Sequence, residues 1–106
     1  MKPNAPAARL RIYLGEDKEL DRRPLYLAIL KRARQCGVAG ATVIRGTQGY
    51  GRSTRLHTAD VLFSEDLPVI IELIDAAEVV DAFLASLAGI EEIGLITREP
   101  VTIPPR

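Results

Sequence analysis

Apolar and polar residues alternate strictly near the start of the chain, over residues 9–15. Such alternation is typical of a strand with one buried face. Further along, apolar residues recur at helical spacing from Pro24, which suits the first position of a helix, to a predicted end near Gly37. The apolar positions are Leu10, Ile12 and Leu14 in the strand and Leu25, Ile29, Ala33 and Cys36 in the helix.

The chain then offers two further strands. Residues 41–48 have the composition of a strand, and residues 68–74 are apolar on both faces apart from Glu72. Helices can cover one face of a sheet, so we expect another surface, such as a neighbouring subunit, to cover the other. Between these strands, residues 49–66 are polar and without a clear period, and loops of this length usually carry function or lack order.

A second helix and a last strand complete the pattern. Asp75 is expected to cap this helix, with Glu78 at the capping-box position, and Gly89 to end it. Residues 93–103 predict the last strand, which Pro100 suits to an edge or a bend. The order βαββαβ predicts an α+β fold, the ferredoxin-like sandwich, in which two helices cover one face of a four-stranded antiparallel sheet.

Length and composition limit the class of protein. A chain of 106 residues with 14 basic and 14 acidic side chains is sized for one domain and carries no net charge, which argues against a protein whose main task is to coat nucleic acid. We expect one domain over residues 9–103, with a flexible lead-in at 1–8 and a flexible tail at 104–106. Without a long apolar run or a signal peptide, the sequence predicts a cytoplasmic protein. Cys36, the only cysteine, is expected to pack as a small apolar residue.

The densest motif lies between the first helix and the loop, where residues 37–52 hold five glycines and two arginines. Gly37 and Gly40 permit a tight reversal from helix to strand, and Gly37 stands where a positive φ is wanted. The glycines at 46, 49 and 51 permit the backbone to approach a ligand closely. We therefore expect this segment to carry function.

These residues resemble a known family. The sequence Gly37-x-x-Gly40-x-Thr42-Val43, followed by Gly49-Tyr50-Gly51-Arg52 and His57-Thr58, resembles the helix, strand and T-loop segment of the PII signal-transduction proteins. The later elements follow in the same order, so the resemblance covers nearly the whole domain. Closer still, residues 9–13, 24–26 and 40–46 resemble a short, largely uncharacterised PII-like branch, whose members often accompany fluoride-channel proteins in bacterial genomes.

The resemblance implies a homotrimer that binds a small effector, such as a nucleotide or an anion, in clefts between subunits. It also implies docking on a membrane transporter or channel, or on an enzyme, through a T-loop, here residues 49–66. Thr42 corresponds to the threonine beside the adenine pocket, and Arg52 to the T-loop arginine. The candidate effector-binding residues are Gly37, Val38, Gly40, Thr42 and Arg45, and the candidate docking residues are Gly49, Tyr50, Gly51, Arg52, Arg55 and His57.

One segment departs from the PII pattern. PII proteins hold the nucleotide phosphates with a lysine in a glycine-rich turn between the second helix and the last strand. Residues 87–94 occupy that place here, with Glu91 and Glu92 and no basic residue. Because two carboxylates repel a triphosphate, the sequence predicts a ligand of less charge, or one held by the arginines of strand two and the loop.

Two other classes of function compete with this interpretation. An acylphosphatase-like enzyme on the same fold would need an asparagine beside an arginine, and the only asparagine, Asn4, lies in the predicted lead-in. An RNA-binding module would need aromatic residues on its central strands, and residues 69–74 have none. His57 has no carboxylate or cysteine at metal-ligand spacing. We therefore predict no catalytic residue, cofactor, metal or nucleic acid. For Arg45, an ion pair between subunits and a ligand contact are both open, and we favour the ion pair.

Overall fold

A computed structural model describes residues 2–50 and 67–106 of the chain. Strands and helices alternate in the predicted order, with a short hairpin added before the first helix. The strands are β1 (Ala7–Gly15), β2 (Glu19–Leu20), β3 (Arg23–Pro24), β4 (Ala41–Arg45), β5 (Pro68–Ala76) and β6 (Leu95–Val101), and the helices are α1 (Leu25–Gln35) and α2 (Ala77–Ser86).

Four of these strands form one antiparallel sheet in the order β4-β5-β1-β6, and β2 and β3 form the hairpin. The central pair, β1 and β5, stays in register over the full length of both strands, from Ala7 opposite Ala76 to Gly15 opposite Pro68. Pro100 lies in β6, which is an edge strand as predicted. An edge strand tolerates proline because proline has no N–H to donate to the ladder. The α+β, ferredoxin-like fold is confirmed.

Both helices cover the same face of the sheet and enclose the core. Alternate residues of β1 and β5 point toward them, which accounts for the predicted alternation. Phe83 of α2, fully buried, is the largest side chain of this core. The other fully buried large side chains are Leu10, Ile12 and Leu14 of β1, Val69, Ile71 and Leu73 of β5, Leu25 and Ile29 of α1, and Val80 of α2.

The start of the domain lies earlier than predicted. Ala7 and Ala8, assigned to a flexible lead-in over residues 1–8, belong to β1 and are only 5% and 0% exposed. The strand extends this far because both alanines pair with β5 and β6. Before it, the backbone N–H of Asn4 donates to the carbonyl of Ile103 at 3.0 Å.

The end of α1 confirms one prediction and overturns another. Gly37 follows the helix with φ of 82°, a conformation that glycine adopts without a steric penalty. Cys36, expected to pack as a small apolar residue, is exposed at the C-cap. The reason is that Ala33 already completes the buried stripe one turn earlier.

The start of α2 is also different from the prediction. Asp75 does not cap the helix, because it still lies in β5, opposite Ala8. Ala76 takes the N-cap position, with no side-chain hydrogen bond to the helix. No helix in the described part of the chain is long and apolar enough to cross a membrane.

The second predicted strand is shorter than residues 41–48, and β4 ends at Arg45. Its partner β5 begins at Pro68, which has no N–H to donate, so the ladder closes at the pair of Arg45 with Val69. The N–H of Gly46 then donates to the carbonyl of Pro68 at 2.8 Å. A Cβ at position 46 would lie 2.7 Å from Pro68 Cγ, so only glycine fits this approach without a shift.

Candidate functional site

A buried carboxylate near the C-terminal end of β5 accepts a hydrogen bond from the corner between α1 and β4. Oδ2 of Asp75 accepts a hydrogen bond from the N–H of Ala39 at 2.8 Å, and Oδ1 accepts one from the N–H of Ala76 at 2.7 Å. Asp75 is 6% exposed. Both oxygens are therefore committed to backbone donors, and the corner has a defined position relative to the sheet.

A groove of about 320 Å³ opens beside this corner. Its volume is at the lower end of the range for small-molecule sites. Leu30 and Ala33 provide an apolar wall, and Arg34 is the charged side chain at its margin. The other side is formed by residues 38–41, which include the predicted site residues Val38 and Gly40.

Among residues 2–50 and 67–106, the five candidate effector-binding residues do not all line the groove. Val38 and Gly40 line the groove, and Gly37 precedes them at the helix end. Thr42 pairs with Glu72, so its side chain lies on the opposite, open face of the sheet. Arg45 pairs with Val69 at the far end of β4.

Arg45 is held by contacts within its own chain. Its Nε and Nη2 atoms lie 2.9 and 2.8 Å from Oε1 of Glu16, and Nη2 donates to the hydroxyl of Tyr26 at 3.3 Å. The hydrogen bond and the charge of Glu16 raise the pKa of the Arg45 guanidinium above its ordinary value. In the single chain this is an intramolecular ion pair, and the predicted pair between subunits stays a prediction.

These contacts lie at the base of the 49–66 segment. The N–H of Glu16 donates to the carbonyl of Leu67 at 2.8 Å, which places the end of β1 beside the first residue after that segment. Of the candidate docking residues, Gly49 is described and Tyr50 is 76% exposed. The remaining ones, Gly51, Arg52, Arg55 and His57, lie outside the described residues.

The face of the sheet away from the helices carries ion pairs between apolar residues. Arg11 Nε donates to Glu72 Oε2 at 2.8 Å, and Arg9 donates to Glu99. The hydrogen bond from Arg11 to Glu72 raises the pKa of the guanidinium, against a smaller opposing effect of burial. Ile44 and Leu95, which lie on this face, are 45% and 54% exposed.

The acidic turn after α2 lies at the opposite end of the sheet from the groove. The N–H of Gly94 donates to the carbonyl of Tyr13 at 2.9 Å, near the end of β1, whereas Asp75 pairs with Ala8 near its start. Within one chain, Glu91 and Glu92 are therefore remote from the groove. The N–H of Asn4 donates to the carbonyl of Ile103, which follows β6, and Asn4 does not line the groove at the β4 edge.

Sequence reasoning missed the role of Asp75 and the contact between Glu16 and Arg45. Asp75 has the spacing of a helix cap, and only its contact with Ala39, 36 positions away in sequence, shows otherwise. Among the described residues, no group of three or more His, Cys, Asp or Glu side chains could hold a metal ion.

Proteins of similar sequence include two UPF0166 proteins. The chain is 37% identical over 95 residues to a UPF0166 protein of Aquifex aeolicus (strain VF5), covering 89% of this chain and 90% of that one. It is 36% identical over 78 residues to UPF0166 protein MJ1524 of Methanocaldococcus jannaschii, covering 74% and 72%.

Solved structures of similar fold include CPII of Thiomonas intermedia K12, a nitrogen regulatory PII-like protein. CPII bound to ADP, AMP and bicarbonate has a TM-score of 0.70 at 16% identity, covering 94% of this chain and 90% of CPII. CPII bound to ADP, AMP and acetate has a TM-score of 0.67 at 17% identity, covering 95% and 91%. The profile of the family DUF190 (Uncharacterized ACR, COG1993) matches residues 7–103. With its length matched almost throughout, this chain belongs to the DUF190 family.

Proposed function

We propose that this protein is a PII-like regulator that binds a small effector and signals its presence to a partner. The observation that carries the proposal is the likeness of the whole fold to CPII, which has been solved with ADP, AMP and bicarbonate. Binding is further supported by the described geometry, which offers a groove at the α1–β4 corner and an exposed sheet face.

Two parts of the chain support an effector site near β4. The groove at the α1–β4 corner holds Val38 and Gly40, which the PII resemblance assigns to that region. Thr42 places a hydroxyl on the open face of the same strand, and β4 is an edge of the sheet. A ligand lying along this edge could contact a second subunit on its other side.

The open face of the sheet supports assembly into a homotrimer. Ile44 and Leu95 are exposed there, while Tyr13, Ile70 and Ile74 are half-buried in the single chain. Apolar residues on a sheet face that no helix covers are typical of a surface that another chain covers. We propose that two further copies of this chain cover it, which would place the β4 edges next to neighbouring subunits.

The proposed signal leaves through residues 49–66, which we expect to dock on a partner such as a membrane channel or transporter. Tyr50, exposed at the start of this segment, supports docking, since a large exposed aromatic residue is typical of contact surfaces. Arg52→Ala should weaken partner docking or effector binding and leave the thermal unfolding of the protein unchanged. Unchanged binding to both would contradict the assignment of the segment.

The proposed function is tested by solution mass and ligand titration of the purified protein. We expect the mass of a trimer, and a rise in unfolding temperature with ADP, AMP or bicarbonate. At about a hundred times the dissociation constant, a ligand adds roughly 2.7 kcal/mol to the free energy of unfolding, which is easily measured in a domain of this size. A protein that none of these ligands stabilises, at concentrations up to several millimolar, would contradict effector binding of this class.

A further inference from the structure

We propose that the groove at the α1–β4 corner is an anion site in which Arg34 binds the anionic group of the effector. The inference rests on the proposed effector-binding function and names the class of ligand. That class is a small molecule with an apolar or flat body and one carboxylate, bicarbonate or phosphate group. The groove, its charge and its shape each support this assignment.

Arg34 is an available cation. Five other arginines are engaged, four in ion pairs with carboxylates and Arg32 through a 2.7 Å hydrogen bond to the carbonyl of Ser86. For Arg34, the described part of the chain provides neither an ion-pair partner nor a side-chain hydrogen-bond acceptor, and its side chain is exposed. It has five N–H donors in a planar fork, which suits the oxygen pairs of carboxylates and phosphates.

The rest of the groove suits the uncharged part of such a ligand. Leu30, Ala33 and Val38 contribute apolar surface, and residues 39–41 contribute mostly backbone. A site with an apolar wall and one oriented polar group is the usual arrangement for small ligands. A volume of about 320 Å³ admits a compact molecule and not a large one.

The charges around the groove favour a single anionic group. The carboxylate of Asp75 contacts Ala39 at the corner, and it is buried and bonded through both oxygens to backbone N–H groups. It fixes residue 39 and opposes any high negative charge beside it. Glu91 and Glu92 lie at the other end of the sheet of the same chain, as the bond between Gly94 and Tyr13 shows. The groove therefore offers one guanidinium, that of Arg34, for one anionic group.

The corner is also preformed. The hydrogen bond from Ala39 to Asp75 and the helix end at Gly37 fix the backbone on both sides of Val38. A preformed site loses less entropy on binding than one that orders around its ligand. Affinity for a small ligand is thereby possible with few polar contacts.

Binding of AMP, ADP and bicarbonate to three variants tests the inference by isothermal titration. Arg34→Gln should weaken the binding of whichever of these ligands the wild type binds, by roughly tenfold, as expected for losing a charge-assisted hydrogen bond. Arg34→Lys should recover part of the affinity. Lys31→Gln is the matched control, because it removes the same charge from an exposed position of α1 that does not line the groove, and should change binding less than twofold.

The outcomes separate the inference from the proposed function. If Arg34→Gln binds the ligand as tightly as the wild type, or if Lys31→Gln weakens binding equally, the anion site is overturned while the regulator proposal stands. If the wild type binds none of the three, both are overturned. Adenosine, which has the body of AMP without its phosphate, should bind at least tenfold more weakly than AMP and equally to wild type and Arg34→Gln.

Discussion

The carboxylate of Asp75 accepts the backbone N–H of Ala39 across 36 positions of sequence, at 2.8 Å. This bond joins the end of a central strand to the corner that leads into an edge strand. Because β4 is an edge strand that pairs with β5, the bond from Ala39 to Asp75 fixes where this edge strand begins. The first prediction tests this relationship.

Asp75→Ala should lower the free energy of unfolding by about 1–3 kcal/mol, because it leaves the N–H groups of Ala39 and Ala76 without their acceptor. Equilibrium unfolding in urea measures the change. Asp81→Ala is the control: it removes the same charge from α2 but breaks only an exposed ion pair with Arg98, which should cost less than about 1 kcal/mol. Equal costs for both variants would show that the contact with Ala39 is dispensable.

Substitution by alanine should destabilise the protein at one of two glycines near β4 and not at the other. A Cβ at Gly46 would meet Pro68 Cγ at 2.7 Å, whereas one at Gly40 meets no atom within 4 Å. Gly46→Ala should therefore cost about 1–3 kcal/mol through overpacking, and Gly40→Ala should be nearly neutral. Thermal unfolding of the two variants makes the comparison, and a Gly40→Ala variant that is the less stable of the two would contradict it.

The backbone conformation of Gly40 corrects an expectation that the sequence alone suggests. A glycine in a helix-to-strand corner invites the prediction that a larger residue such as valine would strain the backbone. The left-handed φ lies at Gly37, whereas Gly40 does not have one. Gly37 and Gly40 lie three positions apart in the same corner, so the sequence does not show which of them takes the positive φ. The tertiary contacts of the corner, such as the bond from Ala39 to Asp75, decide this.

The regular elements could be predicted because their signal is local. Leu10, Ile12 and Leu14 alternate because one face of β1 packs under the helices, and the helical spacing from Leu25 to Ala33 has the same cause. The two contacts that define the site region were not predictable. Asp75 at a strand end has the spacing of a helix cap, and Glu16 gives no local sign that it meets Arg45, 29 positions later.

The interaction free energy between Glu16 and Arg45 should depend on salt concentration but not on pH near neutrality. The carboxylate raises the pKa of Arg45, so the guanidinium stabilises the fold fully below its ordinary pKa and loses this effect only as pH rises through the folded value. A double-mutant cycle with Glu16→Gln and Arg45→Gln should therefore give the same coupling from about pH 6 to about pH 9. The coupling free energy should fall in molar salt. If the effects of the two single substitutions on the free energy of unfolding add exactly in the double variant, the pairing is contradicted.

The open face of the sheet gives the last prediction, which concerns assembly. Ile44 on β4 and Leu27 on α1 are exposed to similar degrees, 45% and 49%, but Ile44 lies on the face that neither α1 nor α2 covers. Ile44→Glu should reduce the solution mass from trimer to monomer, because a buried unpaired carboxylate at a subunit contact is strongly unfavourable. Leu27→Glu adds the same charge on the helix side and should leave the mass unchanged. If instead Leu27→Glu dissociates the protein and Ile44→Glu does not, the subunits meet through the helices and the proposed trimer is wrong.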